Sequence, residues 1–253
     1  MRTLAIVSCI LLTACGAPPS LPENFSQNTF KLDAEEGLLF EHAFSLNPTG
    51  WQLGKTQMAD GALSTSEETR WAEAVLPILP TLDLAQATYT FYWESSTDPS
   101  KGQDPSALHI KLRLTEDPNR REQLSFNALT RAANNFYMFY IDPGFEMEYP
   151  HVRHPRPPRG FFSDKEVSHQ FRIRISPIDH NKLSAVFNYW DKEQKAWSEF
   201  QDSKKPPKPQ SFEVDIAKDL EGFSEIKAIN FMFPHAAAKV TATALTRSEP
   251  SSE

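Results

Sequence analysis

The sequence predicts an all-β protein, an antiparallel β-sandwich or jelly roll with few short helical turns. Apolar and polar residues alternate with a period of two in many short segments, which is typical of strands that bury one face. Helical periodicity is scarce, and the strand–helix–strand rhythm of a parallel sheet does not appear. Turn residues separate the segments at a spacing of roughly 8–15 residues, which favours a sandwich.

The predicted strands follow one another through the body of the chain. A turn at residues 191–195 predicts a hairpin, with a helix over residues 191–200 as the competing interpretation. One short helical turn is expected from Ile216 to Leu220, with Asp215 as its N-cap and Gly222 at its end. The segments with strand character are residues 87–93, 108–114, 124–126, 136–141, 171–175, 183–190, 196–200, 212–216, 226–233 and 240–244.

Composition sets the class of protein. The 253 residues are 40% hydrophobic and 23% charged, as in a soluble protein with a sizeable core. The net charge of −7 argues against a nucleic-acid partner. We predict one β-sandwich domain over residues 31–247 and a disordered tail over residues 248–253, with the proline-rich stretches 153–159 and 204–209 as surface loops.

The N-terminus has the layout of an export signal. A positive start at Met1–Arg2 precedes an apolar stretch at residues 4–12. That stretch is too short for a membrane-spanning helix, which needs about 20 residues. The sequence Leu12-Thr13-Ala14-Cys15 closely resembles the lipobox of bacterial lipoproteins. The resemblance implies a signal peptide over residues 1–14, cleavage before Cys15, acylation of the Cys15 thiol and the lipid bilayer as a partner; the alternative is an ordinary signal peptide with a chance cysteine.

Residues around Cys15 refine this prediction. Cys9 lies in the part that would be removed, so Cys15 would be the only cysteine of the mature chain. Prolines and small polar residues dominate residues 15–30, which we interpret as a flexible tether. Gly16 follows the cysteine where an Asp would mark inner-membrane retention, so resemblance to Gram-negative lipoproteins implies the outer membrane.

A second resemblance concerns the domain itself. Phe40, Phe44, Gly50-Trp51 and the turn at residues 60–63 resemble the opening of concanavalin A-like jelly rolls, including laminin-G-like and glucanase-like domains. The resemblance covers roughly residues 38–246. It implies the jelly-roll fold, which hosts lectins, glycan hydrolases, lyases and adhesion modules, and therefore names no single function.

One short motif resembles a glycosidase strand. Glu213, Asp215 and the position of Lys218 follow the Glu-x-Asp-x-x-Glu pattern of laminarinase-type retaining enzymes, which need two carboxylates about 5–5.5 Å apart. Lys218 stands where the second Glu is required. We therefore predict a solvated edge strand here and name no catalytic residue.

Two predicted strands each present cations on one face. His109, Lys111 and Arg113 alternate with apolar residues, and Arg172 and Arg174 do the same later in the chain. If the two strands were neighbours, they would form a surface for an anionic polysaccharide, since Arg pairs with carboxylate or sulfate in a bidentate manner. We then expect alanine at Arg113 or Arg172 to remove retention by acidic glycans with little change in stability; the alternative is a row of ordinary solvent-facing residues.

Aromatic residues form the other candidate for a ligand surface. They could stack on sugar rings, or they could belong to the core, as most aromatic residues of a sandwich do. A lyase would also need a base, for which His109 or Tyr137 has suitable chemistry, but the usual lyase motifs are absent. The aromatic candidates are Trp93, Tyr137, Tyr189, Trp190 and Trp197.

Metal sites receive little support from the sequence. His151 and His154 have metal-ligand spacing without a supporting carboxylate or cysteine, so no metal ligand is predicted. Resemblance to the jelly rolls leaves room for a structural calcium ion at turns carrying Asp98, Asp104 or Asp142. No other cofactor is expected.

These observations support three hypotheses. The leading one is a membrane-anchored lipoprotein whose lectin-like module binds carbohydrate or another envelope component. The second is a polysaccharide hydrolase or lyase of unusual motif, although an enzyme is the weaker hypothesis. The third is an envelope lipoprotein that binds protein and no glycan.

Overall fold

The computed structural model describes most of the chain between Thr29 and Glu249. The residues described are 29–46, 49–101, 107–115, 124–131, 136–142, 152–153, 155–156, 161, 164–199, 201–202 and 211–249. The predicted leader, Cys15 and most of the predicted tether lie outside them. Within this part of the chain, no helix is long and apolar enough to cross a bilayer.

The predicted all-β class is confirmed, because strands account for almost all of the regular structure. Within the described residues, one α-helix (Ile216–Asp219) and two short 3-10 turns (Phe44–Leu46 and Pro99–Lys101) accompany the strands. The strands are β1 (Gly37–Ala43), β2 (Gln57–Ala59), β3 (Ala62–Ser64), β4 (Ala72–Asp83), β5 (Thr88–Thr97), β6 (Leu108–Arg113), β7 (Ser125–Arg131), β8 (Phe136–Asp142), β9 (Val152–Arg153), β10 (Pro155–Arg156), β11 (His169–Asp179), β12 (Lys182–Asp191), β13 (Ala196–Glu199), β14 (Gln201–Asp202), β15 (Ser211–Asp215), β16 (Glu225–Phe233) and β17 (Ala238–Ser248).

The strands form two main antiparallel sheets. Sheet A has the order β13-β12-β11-β5-β17-β3-β2, with β1 also paired to β17 and β15 also paired to β12. Sheet B has the order β4-β16-β6-β7-β8-β9. Strands that are neighbours in space are often distant in sequence, as β5 and β17 are, which is the pattern of a jelly roll.

A continuous aromatic and aliphatic core fills the space between the sheets. Phe231 of sheet B lies against three rings, with centroid distances of 5.4 Å to Trp51, 6.1 Å to Phe91 and 6.3 Å to Phe44. Trp93 of sheet A is completely buried in the same cluster. Because apolar and polar residues alternate along the strands, each sheet has an apolar face, and these two faces pack against each other.

The predicted hairpin with its turn at residues 191–195 is confirmed over the described residues, and the competing helix is wrong. Strands β12 and β13 pair through Trp190 and Trp197, which lie directly opposite each other. In the turn, the Asp191 carboxylate accepts hydrogen bonds from the backbone N–H groups of Glu193 (2.9 Å) and Gln194 (3.0 Å). The Asp191 side chain thus satisfies two backbone N–H groups of the turn, so they need no helical hydrogen bonds.

The predicted helical turn is also present. Asp215 caps the helix by accepting a hydrogen bond from the Lys218 N–H at 2.9 Å. Gly222 ends it with a φ of 84°, and its N–H donates to the Ile216 carbonyl at 2.8 Å. Strand β15, which leads into this helix, pairs with β12 alone among the described strands, and Glu213 on it is exposed, as predicted for an edge strand with solvated acids.

Both predicted boundaries of the domain need a small correction. The tether was predicted to run to residue 30, but Phe30 is buried against Tyr92, with ring centroids 5.5 Å apart. The tail was predicted to begin at residue 248, but Ser248 still belongs to β17, where it pairs with Thr88. Long-range contacts extend the ordered chain at both ends.

Candidate functional site

The candidate site lies on the face of sheet A that points away from sheet B, which we call the outer face. On β11, Phe171, Ile173 and Ile175 point into the core, so the residues between them point outwards. Gln170, Arg172 and Arg174 therefore stand in a row on the outer face, about 7 Å apart at the usual rise of a strand. Two predicted ligand residues thus share one surface.

A segment from the N-terminus crosses this row. Residues 29–36, which we call the strap, form bends and a turn and belong to no strand. The carboxylate of Asp33 in the strap lies 2.8 Å from Nη1 of Arg172 and 3.6 Å from Nη1 of Arg174. The strap carries the acidic partner of both arginines.

Arg172 is held by its own sheet as well as by the strap. Its Nε donates to Oδ1 of Asn188 at 3.0 Å, and its guanidinium lies 4.9 Å from the ring centroid of Trp197. Its side chain is only 11% exposed, whereas the side chain of Arg174 is 36% exposed. Arg172 is therefore an anchored cation, and Arg174 is the accessible one.

Aromatic rings surround Arg172 on the outer face. Tyr92 lies 5.4 Å from Trp197 and 5.5 Å from Phe30 of the strap, measured between ring centroids. The Tyr92 hydroxyl donates a short hydrogen bond to Glu36. Burial and the neighbouring Glu36 carboxylate raise the pKa of the Tyr92 phenol, so the phenol stays protonated and acts as the donor.

An open cavity of about 740 Å³ begins where the strap meets this surface. Its lining residues carry an indole and amide, carboxylate and ammonium groups, and others belong to the strap and to the loop before β11. Gln170 joins two of these walls, because its Nε2 donates to the Thr29 carbonyl at 2.9 Å and to the Glu94 carboxylate at 2.8 Å. The lining residues are Thr29, Phe30, Lys31, Glu94, Glu166, Val167, Ser168, Gln170, Trp190 and Lys192.

A half-buried histidine begins β11 beside Gln170. The His169 ring stacks on Phe161 with centroids 3.9 Å apart. Burial, followed by the positive charge of Lys192, lowers the pKa of His169 to about 4. His169 is therefore neutral at physiological pH and packs against Phe161.

Comparison with solved structures identifies the fold. The chain is similar to an endo-1,3-beta-glucanase from Streptomyces sioyaensis (9% identity, TM-score 0.59, covering 87% of this chain and 99% of that one). It is also similar to the carbohydrate recognition domain of Emp46p in its metal-free form (13%, 0.51, 78% and 88%). A third similar structure is arcelin-5, a lectin-like defense protein from Phaseolus vulgaris (8%, 0.50, 85% and 100%).

The chain has the concanavalin A-like jelly-roll fold. The predicted resemblance in fold is thereby confirmed. No protein-family model and no curated protein matches the chain. At these low identities the similarity concerns the fold alone, so the function has to be argued from the site.

The jelly roll brings together only some of the predicted ligand residues. Arg172, Arg174 and Trp190 all lie on the outer face of sheet A. Trp93 and Tyr189 face the core instead, where Trp93 is completely buried and Tyr189 is 9% exposed. Because neighbouring residues of a strand point to opposite faces, these two side chains do not reach the outer face.

The two cationic strands are not neighbours, so the condition for a shared anion-binding surface is not met. His109 and Arg113 are on β6 in sheet B, whereas Arg172 and Arg174 are on β11 in sheet A. The two rows therefore belong to opposite layers of the sandwich. Tyr137 is part of β8, and its side chain lies outside the described residues.

Several residues of the site were not predicted. Gln170 and Lys192 line the cavity, and Glu94 accepts the hydrogen bond of Gln170. A signal for Gln170 existed, since it precedes Arg172 by two residues on the same strand. Asp33 had no such signal, because it reaches the site from a segment distant in sequence.

The described part of the chain contains no group of side chains that could bind the calcium ion considered from the sequence. No group of three or more His, Cys, Asp or Glu side chains there comes close enough to hold a metal ion. The Asp98 carboxylate is engaged locally, since it accepts hydrogen bonds from N and Oγ of Ser100 at 3.0 and 2.5 Å. Asp104, His151, His154 and the side chain of Asp142 lie outside the described residues.

Proposed function

We propose that the chain is an exported lipoprotein whose jelly-roll domain binds glycans in the cavity on the outer face of sheet A. The observation that carries the proposal is the combination of groups in that cavity. Trp190 offers an apolar ring face, and Glu94, Gln170 and Lys192 offer acceptors and donors beside it. A sugar presents apolar C–H patches and hydroxyls, which such a mixed wall recognises.

The polar groups of this cavity are held in place before any ligand arrives. Both oxygens of Glu94 accept hydrogen bonds, from Gln170 Nε2 at 2.8 Å and from Thr241 Oγ1 at 2.9 Å. Trp190 packs edge-on against Trp197, with centroids 5.4 Å apart. A site with fixed groups loses little conformational entropy on binding, which favours recognition.

Membrane attachment through Cys15 completes the proposal, and its support comes from the lipobox-like sequence. Acyl chains contribute about 0.8 kcal/mol of membrane affinity per buried CH₂, so multiple chains would anchor the domain stably. A tethered domain holds a glycan near the membrane at a high effective concentration. The absence of Asp at position 16 supports the outer membrane.

Affinity electrophoresis through gels containing individual polysaccharides tests the glycan-binding site. We expect a subset of glycans to retard the protein, and we expect Trp190→Ala to weaken that retardation about tenfold or more, as for a central aromatic contact. Trp71→Ala is the matched control, because Trp71 is 57% exposed and lies beside His109 of sheet B. Equal retardation of both variants, or no retardation by any glycan, would reject this site.

Lipid attachment is tested separately by labelling cells with radioactive palmitate. We expect Cys15→Ser to abolish incorporation and Cys9→Ser to leave it intact. Gly16→Asp tests the predicted membrane, since it should move the protein to the inner-membrane fraction of a Gram-negative host. Label that persists in Cys15→Ser would show that the lipobox interpretation is wrong.

A further inference from the structure

The contact between Asp33 and the two arginines resembles a bound ligand. A carboxylate from outside the sheets sits between two guanidinium groups, at 2.8 Å from Arg172 and 3.6 Å from Arg174. Arginine pairs of this kind bind carboxylates by charge and by geometry. The carboxylate of Asp33 therefore shows which chemical group this pair of arginines can bind.

The cationic half of this contact does not depend on the strap. Arg172 is bonded to Asn188 and lies over Trp197, and because all three residues belong to sheet A, neither contact is made through Asp33. A guanidinium fixed by its own sheet remains ready to receive another carboxylate.

The strap is attached to sheet A through side-chain contacts and not through strand pairing. Phe30 packs on Tyr92, Nε1 of Trp197 donates to the Lys31 carbonyl at 2.7 Å, and Glu36 accepts from Oγ1 of Thr90 at 2.6 Å. Asp33 itself is 40% exposed. Segments held in this way open at a lower free-energy cost than paired strands do.

The strap also forms one wall of the cavity, through Thr29, Phe30 and Lys31. Movement of the strap would therefore join the cavity at Gln170 to the guanidinium groups at Arg172 and Arg174. The two surfaces are consecutive along β11, so one oligosaccharide could occupy both.

We propose that Arg172 and Arg174 form a subsite for the carboxylate of an acidic sugar such as a uronic acid, and that Asp33 occupies this subsite until the ligand displaces it. This inference rests on the proposed glycan-binding function and deepens it by naming the class of ligand and the internal competitor. The strap acts as a tethered competitor, whose effective concentration sets how strongly it opposes the ligand.

The test compares Asp33→Asn with Glu35→Gln in gels containing polygalacturonate. Both substitutions remove one negative charge from the strap, but Glu35 is exposed. We expect Asp33→Asn to raise the affinity for polygalacturonate about tenfold, the effect of losing one charge-assisted contact. Glu35→Gln should match the wild type, and adding Arg174→Ala to Asp33→Asn should abolish the gain.

Leu32→Ala, at a strap residue that packs beside Tyr92 and does not line the cavity, also releases the strap. It loosens the strap through its apolar contact and leaves both arginines and Asp33 unchanged, so it keeps the proposal testable if Asp33→Asn folds poorly. We expect it also to raise polygalacturonate affinity. If neither variant binds polygalacturonate better than Glu35→Gln does, the carboxylate subsite is wrong and the strap serves only as a structural cover.

Hydrogen exchange separates this proposal from the proposed function. Trigalacturonate should accelerate exchange of the amides in residues 29–36, whereas a neutral oligosaccharide that binds at Trp190 should not. Unchanged exchange of these amides with bound trigalacturonate would overturn the displacement. Retention by neutral glycans and its loss in Trp190→Ala report on the cavity alone.

Discussion

The two faces of sheet A carry alternate residues of the same strands, but different kinds of contact cover them. The core face is covered by sheet B and is lined by residues such as Phe91, Trp93 and Phe171. The outer face is covered in part by the strap, which meets Tyr92 and Arg172 through polar and ionic contacts. Dispersion and apolar burial keep the core face covered, whereas directional contacts keep the strap on the outer face.

This difference separates stability from recognition within one sheet. Separating the packed rings of the core costs free energy at every position, because each ring is in contact with several others. The strap contacts the outer face through a carboxylate, an indole N–H and one ring, and a ligand with equivalent groups can replace these contacts. We therefore expect substitutions on the core face to change the free energy of unfolding most, and those on the outer face to change binding most.

The largest expected effect is at Trp93 on the core face. Trp93→Ala removes a completely buried ring that stacks on Phe91, Phe171 and Phe187, and it should lower the unfolding free energy by about 4 kcal/mol. Trp93→Phe should cost far less, since the indole Nε1 has no hydrogen-bond partner among the described residues. Urea denaturation measures both; a small loss for the alanine variant would contradict the core assignment.

The next effect is a pH dependence that originates on the core face. The Trp51 indole N–H donates to Nδ1 of His42 at 2.7 Å, which requires that nitrogen to be unprotonated. Burial lowers the pKa of His42 from 6.5 to about 4. The stabilisation is therefore complete above pH 6.5 and declines as the pH falls towards 4, by about 3 kcal/mol for this histidine.

Urea denaturation of His42→Gln between pH 7 and pH 4 measures that share. His169 has a similarly lowered pKa, so the variant should keep a reduced pH dependence rather than none. His180→Gln is the control, because His180 is exposed in a turn. A slope in His42→Gln equal to that of the wild type would show that His42 does not titrate as described.

Arg172 is expected to have the largest effect on stability among the outer-face residues. Arg172→Ala removes the charge-assisted bond to Asp33 and the bond to Asn188, and should cost about 2 kcal/mol. The sequence had suggested little change in stability here, but the side chain is 11% exposed and paired. Arg174→Ala on the same strand is the control, with an expected cost below about 0.5 kcal/mol; equal costs would show that burial does not distinguish the two arginines.

The sequence predicts strands well where large apolar residues alternate with polar ones. Strand β11 is an example, since Phe171, Ile173 and Ile175 make the pattern plain. Strand β4 was missed, although Ala72, Ala74, Leu76 and Ile78 alternate in burial along it. Small alanines and two prolines obscure that pattern, and prolines fit here because β4 ends the strand order of sheet B.

The site was predicted only in part, because alternation identifies a face and not a layer. The pattern around His109 and the pattern around Arg172 look alike in sequence, yet they lie in different sheets. The strap was less predictable still. Residues up to 30 have the composition of a linker, and only the distant rings of Tyr92 and Trp197 make Phe30 and Lys31 part of the domain.

The smallest effect we predict concerns the hydroxyl that ties the strap to the outer face. Tyr92→Phe keeps the ring contacts with Phe30 and Trp197 and removes the hydroxyl with its hydrogen bond to Glu36, so it should lower the unfolding free energy by about 1 kcal/mol. Because Glu36 also accepts from Thr90, Thr90→Val is the companion variant, and a double-mutant cycle measures whether the two hydroxyls act through the same carboxylate. Strictly additive costs would mean that Glu36 does not link the two hydroxyls.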